Sequence, residues 1–74
     1  MPKLPRLTAR EIIAVLEKKR FVLARQSGSH KIYKDAAGKR VTVPFHAQKV
    51  LHPKLLRSIM RDAGIEPEEL ESLL

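Results

Sequence analysis

The feature that most limits the possible folds is the placement of turn residues between residues 21 and 43. Ser27-Gly28 and Asp35-Ala36-Ala37-Gly38 cut this stretch into three short β-prone runs: Phe21 to Gln26, Ser29 to Lys34 and Lys39 to Val43. Parallel neighbours need a crossover of a dozen or more residues. Links of hairpin length therefore require three antiparallel strands. The second run alternates, with His30 and Ile32 towards one side and Ser29, Lys31 and Tyr33 towards the other. In the third, Val41 and Val43 face inward, and Pro44 removes a donor and ends the strand.

Helical patterns flank this stretch. Thr8-Ala9-Arg10-Glu11 is a capping box, and Leu7 and Ile12 stand at the positions of a hydrophobic staple. Ile12, Ile13 and Leu16 form an apolar stripe, and Lys18, Lys19 and Arg20 fall in the last turn, where cations suit the helix dipole. Residues 1–7, with Pro2 and Pro5, read as a flexible arm, and Phe45 to Leu51 as a loop returning the chain to the helical side. A second helix starts at Pro53, with His52 in place of a usual N-cap. Leu56, Ile59, Met60 and Ala63 form its stripe, and Gly64-Ile65 is a Schellman ending. Glu66-Pro67-Glu68-Glu69 opens a third, short helix that Leu70, Leu73 and Leu74 dock. The expected fold is α+β: a single domain over residues 1–74 in the order α-β-β-β-α plus a terminal helix. Its helices lie on one face of a three-stranded antiparallel sheet, and the other face is open.

With 74 residues there is no room for a cofactor lobe beside a substrate lobe, and without Cys there are no disulfides or thiolate metal sites. No apolar run spans a membrane and the first residues lack the pattern of a signal peptide, so the expected location is cytoplasmic. Charge is more telling. Residues 62–74 hold five acids and no base, leaving residues 1–61 with 15 bases against 3 acids. A cationic body of this density suits a polyanion, nucleic acid being the usual one; a solvated surface or a partner-binding face is the plainer explanation.

Three histidines can carry chemistry. His30 follows the small turn Ser27-Gly28-Ser29, which lets a bulky substrate approach, and Arg25, Lys31 and Lys34 lie within a few residues. Metal-free RNA cleavage needs such a set: a base for the ribose 2′-OH and cations for the crowded phosphate. The alternative is a structural His that hydrogen-bonds the turn. His46, in the loop after Pro44-Phe45, is a general acid, a phosphate contact or a plain loop residue. The histidines lack i, i+4 spacing and have no acid close by in sequence, so no metal site and no cofactor are expected.

From Phe21-Val22-Leu23-Ala24-Arg25-Gln26-Ser27-Gly28-Ser29-His30-Lys31-Ile32-Tyr33 onward, the sequence resembles the HicA toxin family. Val41-Thr42-Val43-Pro44-Phe45-His46 is similar to the family's next motif. Leu56-Arg57-Ser58-Ile59 and Asp62-Ala63-Gly64-Ile65, with Glu69-Leu70, are similar to its last. The resemblance spans about residues 8–74. It implies a double-stranded-RNA-binding-domain-like fold and a ribosome-independent mRNA interferase, an endoribonuclease toxin neutralised by a HicB-type antitoxin. The family's catalytic His falls on His30. Arg25, Ser27, Gly28, Ser29, Lys31, Lys34 and His46 are then the expected RNA contacts, and the free toxin is expected to be a monomer. The alternative is a non-catalytic RNA-binding module of the same fold. Arg20 departs from the family's usual Gly before the Phe, and Lys54-Leu55 from a common Gly-Thr pair.

Overall fold

A computed structural model describes residues 4–46 and 49–74. Met1, Pro2 and Lys3 of the expected arm and residues 47–48 of the expected loop lie outside the described residues. The elements run α1 (Ala9–Lys18), β1 (Val22–Ser27), β2 (His30–Lys34), β3 (Arg40–Pro44), α2 (Pro53–Ala63) and α3 (Pro67–Leu73). The sheet is antiparallel in the order β1-β2-β3, so the α-β-β-β-α expectation and its double-stranded-RNA-binding-like arrangement hold. None of the helices is long and apolar enough to cross a membrane among the described residues.

Local chemistry sets each boundary. The Thr8 hydroxyl accepts from the Glu11 amide, and the Glu11 carboxylate accepts from the Thr8 amide at 2.9 Å, closing the capping box. At the start of α2 the His52 Nδ1 accepts from the Lys54 amide at 3.1 Å, so an imidazole does the work of the usual hydroxyl or carboxylate cap. Gly64 ends α2 in the left-handed region at φ 71°, and the Ile65 amide returns to the Met60 carbonyl at 2.9 Å.

The end of α1 differs from expectation. Arg20 is not in the last turn: the helix stops at Lys18 and Arg20 sits at φ 68°, the one non-glycine with positive φ among the described residues. The Arg20 amide bonds the Glu17 carbonyl and the Phe21 amide bonds the Leu16 carbonyl at 2.9 Å. This is a Schellman ending built on an arginine, because the chain must reverse here to deliver Phe21 to the core.

The core lies between helices and sheet. Ile12, Val15 and Leu16 of α1, Leu56, Ile59 and Met60 of α2 and Leu70 of α3 meet Phe21, Tyr33, Val41 and Val43. Leu7 is also buried, and its carbonyl accepts from the Leu51 amide, tying the segment before α1 to the segment before α2. Burial raises the pKa of the Tyr33 phenol, and the nearby Glu17 carboxylate adds to the effect. The α3 helix is held to α1 by the Lys19–Glu69 ion pair and by Lys18 Nζ donating to the Leu73 carbonyl at 2.7 Å. Leu70 docks as expected and Leu73 packs against the core; Leu74 does not dock and is 53% exposed, since α3 ends before it can turn inward.

Candidate nucleic-acid interface

The side of the sheet away from the helices is the open face, and register decides what stands on it. Cross-strand partners share a face. Tyr33 pairs with Val41, and both are buried against the helices. The alternate pairs, His30 with Pro44, Ile32 with Thr42 and Lys34 with Arg40, therefore belong to the open face. On β1 the partners of this set are Ser27 opposite His30, Arg25 opposite Ile32 and Val22 opposite Lys34. A register shift between Leu23 and Arg25 keeps Arg25 on this face. All of β1 is exposed, as expected of a strand with one sheet neighbour and no helix over it.

The face thus carries Arg25, Lys34, Arg40 and His30, with no carboxylate among its strand residues. Lys34 and Arg40 stand directly opposite each other. Like charges in that position repel and destabilise a ladder. A bound polyanion relieves the repulsion, and water and salt do so only in part.

His30 opens β2 at one corner of this face. The hairpin before it has two central residues, Gly28 and Ser29, and of the two only Gly28 has positive φ, at 58°. That is the pattern of a type II′ turn, which calls for glycine at its first central position. Nothing lies within 4 Å of where a Gly28 side chain would start, so the turn is open to solvent at Gly28. His30 is exposed, and among the described residues its imidazole makes no hydrogen bond. The turn is braced instead by Gln26, whose Nε2 donates to the Gly28 carbonyl at 3.3 Å.

The other expected contacts divide between places. Ser27, Gly28 and Ser29 are at the His30 corner, and Arg25 and Lys34 are on its face. Lys31 is not: strand alternation sends it to the helix side, where its ammonium lies 4.0 Å from the centroid of the Phe45 ring. His46 is next in sequence to a residue that bonds the His30 turn. The Phe45 amide bonds the Ser29 carbonyl, which brings the chain after β3 against the turn. His46 is exposed there and lines a hollow of about 150 Å³ with Pro44, Lys49 and His52.

Two polar residues of the face were not among the expected contacts, Arg40 and Thr42. The signal for both was present: with Val41 and Val43 inward, their neighbours must face out.

Residues 9–65 match the model of a protein family described as HicA toxin of bacterial toxin–antitoxin. No curated protein matches the chain.

Proposed function

The chain belongs to the HicA toxin family, whose members are toxins of bacterial toxin–antitoxin systems and have an antitoxin as partner, and from that premise we propose that it is a metal-independent endoribonuclease acting on mRNA, neutralised by a HicB-type antitoxin. The observation that carries this reading is the open face itself. Among the described residues it combines three cations with one exposed imidazole that makes no hydrogen bond, and its strands carry no acid there. A purely structural histidine would be expected to hold the turn, and here Gln26 does so.

In the proposed reaction, His30 takes the proton from a ribose 2′-OH. The oxygen attacks the adjacent phosphorus, and the bond to the 5′-oxygen breaks as that oxygen gains a proton. The products are a 2′,3′-cyclic phosphate and a 5′-hydroxyl. Arg25, Lys34 and Arg40 hold flanking phosphates along the face and offset the charge that builds on the reacting one. In this reading Ser27, Gly28 and Ser29 line the approach, and His46, two residues beyond β3, contacts a phosphate or the leaving oxygen. Lys31 reaches the RNA only if its ammonium leaves the Phe45 ring.

The test is analysis of the ends left on an unstructured RNA oligonucleotide, with and without excess EDTA. Cyclic phosphate ends formed at the same rate in both conditions support the reading. Binding without cleavage would leave an RNA-binding module of the same fold, and cleavage restored only by a divalent ion would replace the metal-free mechanism.

A further inference from the structure

On the helical side, the segment before α1 lies across α2 and leaves a groove. It comprises two hollows of about 360 and 390 Å³ that share Leu4 and Arg57. Their floor is apolar, set by Met60 and Ile65 in one and Leu56 in the other. Their rim carries Arg6, Arg57 and Arg61. Glu66 borders one hollow, yet none of these arginines forms an ion pair among the described residues. Because α2 packs on the face of β3 opposite to His30, the groove is separate from the open face.

We propose that this groove is a second docking surface of the toxin and takes an acidic amphipathic segment of its antitoxin. The composition of the groove selects the occupant. Among the described residues the floor offers no aromatic ring on which a base could stack, so aliphatic side chains fill it better than RNA does; the guanidinium forks around it, which form no ion pair among those residues, match carboxylates in bidentate geometry. A segment with leucine-like residues on one side and Asp or Glu beside them satisfies both. Tethering the antitoxin here raises the local concentration of whatever part of it covers the open face, so two modest contacts become one strong one. The proposal rests on the antitoxin partner that family membership supplies, and not on RNA cleavage.

The test measures affinity of the purified toxin for its cognate antitoxin by calorimetry, together with RNA cleavage by the free toxin. The Arg57→Glu/Arg61→Glu variant should bind the antitoxin about 30-fold more weakly, with the deficit largest at low salt, and should cleave RNA at the wild-type rate. In the wild-type complex, hydrogen exchange should slow at residues 4–7 and along α2. Leu4→Asp, which changes the floor from a segment outside the helices, should weaken binding in the same direction and serves if the double variant fails to fold. Unchanged antitoxin affinity in folded variants overturns the proposal. So does loss of RNA cleavage with antitoxin affinity intact, which would make the groove an RNA surface. If the wild-type toxin cleaves no RNA, the nuclease reading fails while the affinities still decide the groove.

Discussion

Replacing Arg20 by glycine should stabilise the protein. Arg20 holds φ 68° at the end of α1, in a Schellman turn whose two backbone bonds do not involve its side chain. A residue with a Cβ costs about 1–2 kcal/mol in this conformation. Glycine removes that cost but adds unfolded-chain entropy of about 0.4–1 kcal/mol. Around the mid-points of these ranges the net gain is about 0.5–1 kcal/mol. For a chain of this size, 1 kcal/mol moves Tm by about 4–8 °C, so Arg20→Gly should raise Tm by about 2–8 °C. Thermal and urea unfolding followed by circular dichroism at 222 nm will measure it. Arg20→Ala is the decisive control, because it removes the same charge and keeps the Cβ; it should give little or no gain. A stabilised Arg20→Ala would assign the effect to relief of repulsion among Lys18, Lys19 and Arg20. A destabilised Arg20→Gly would refute the backbone argument outright.

Arg40→Glu should weaken RNA binding at every sequence tested and lower the dependence of log K on log salt by about one unit for the lost phosphate contact; an unchanged salt slope would remove Arg40 from the interface. Glu69 accepts a hydrogen bond from Lys19, which holds its pKa below the usual carboxylate range. Its contribution is present above the unfolded carboxylate pKa of about 4.3 and is lost as pH falls through the lower folded value. Glu69→Gln should therefore lower stability at every pH above about 4.5, pH 9 included, and converge on the wild type as pH falls below the folded value, which flattens the acid limb; urea midpoints across pH will follow it. Tyr33, with its raised pKa, acts at the other end: stability should fall as pH climbs above about 10, and Tyr33→Phe should remove that fall.

The fold was legible where one residue type has one local use. Thr8 and Glu11 mark a helix start because their side chains close on each other's amides, and Gly64 marks an end because the left-handed cap favours a residue without Cβ. Gly28 and the Asp35–Gly38 loop fix hairpins because nothing longer fits, and from the hairpins comes the antiparallel order. What escaped were features set by tertiary geometry. Arg20 has the composition of a helix end and the conformation of a turn, a conflict settled by the need to bury Phe21. The register shift near Ala24 leaves no mark in side-chain type, yet it decides which face Arg25 occupies. At the candidate site, His30 and the turn before it were readable, as was the alternation that separates Lys31 from them. The direct opposition of Lys34 and Arg40 was not, because it depends on the pairing register across a five-residue loop.

The central claim is that His30 performs chemistry and does not hold the fold. The measurement that tests it most directly is the rate of RNA cleavage by purified His30→Ala, with its unfolding curve recorded on the same preparation. His30 is exposed and makes no side-chain hydrogen bond among the described residues, so the variant should fold with near wild-type stability. Loss of a general base should slow cleavage by about 10²–10⁴-fold. A folded, nuclease-free preparation of His30→Ala that cuts RNA at the wild-type rate would contradict the account.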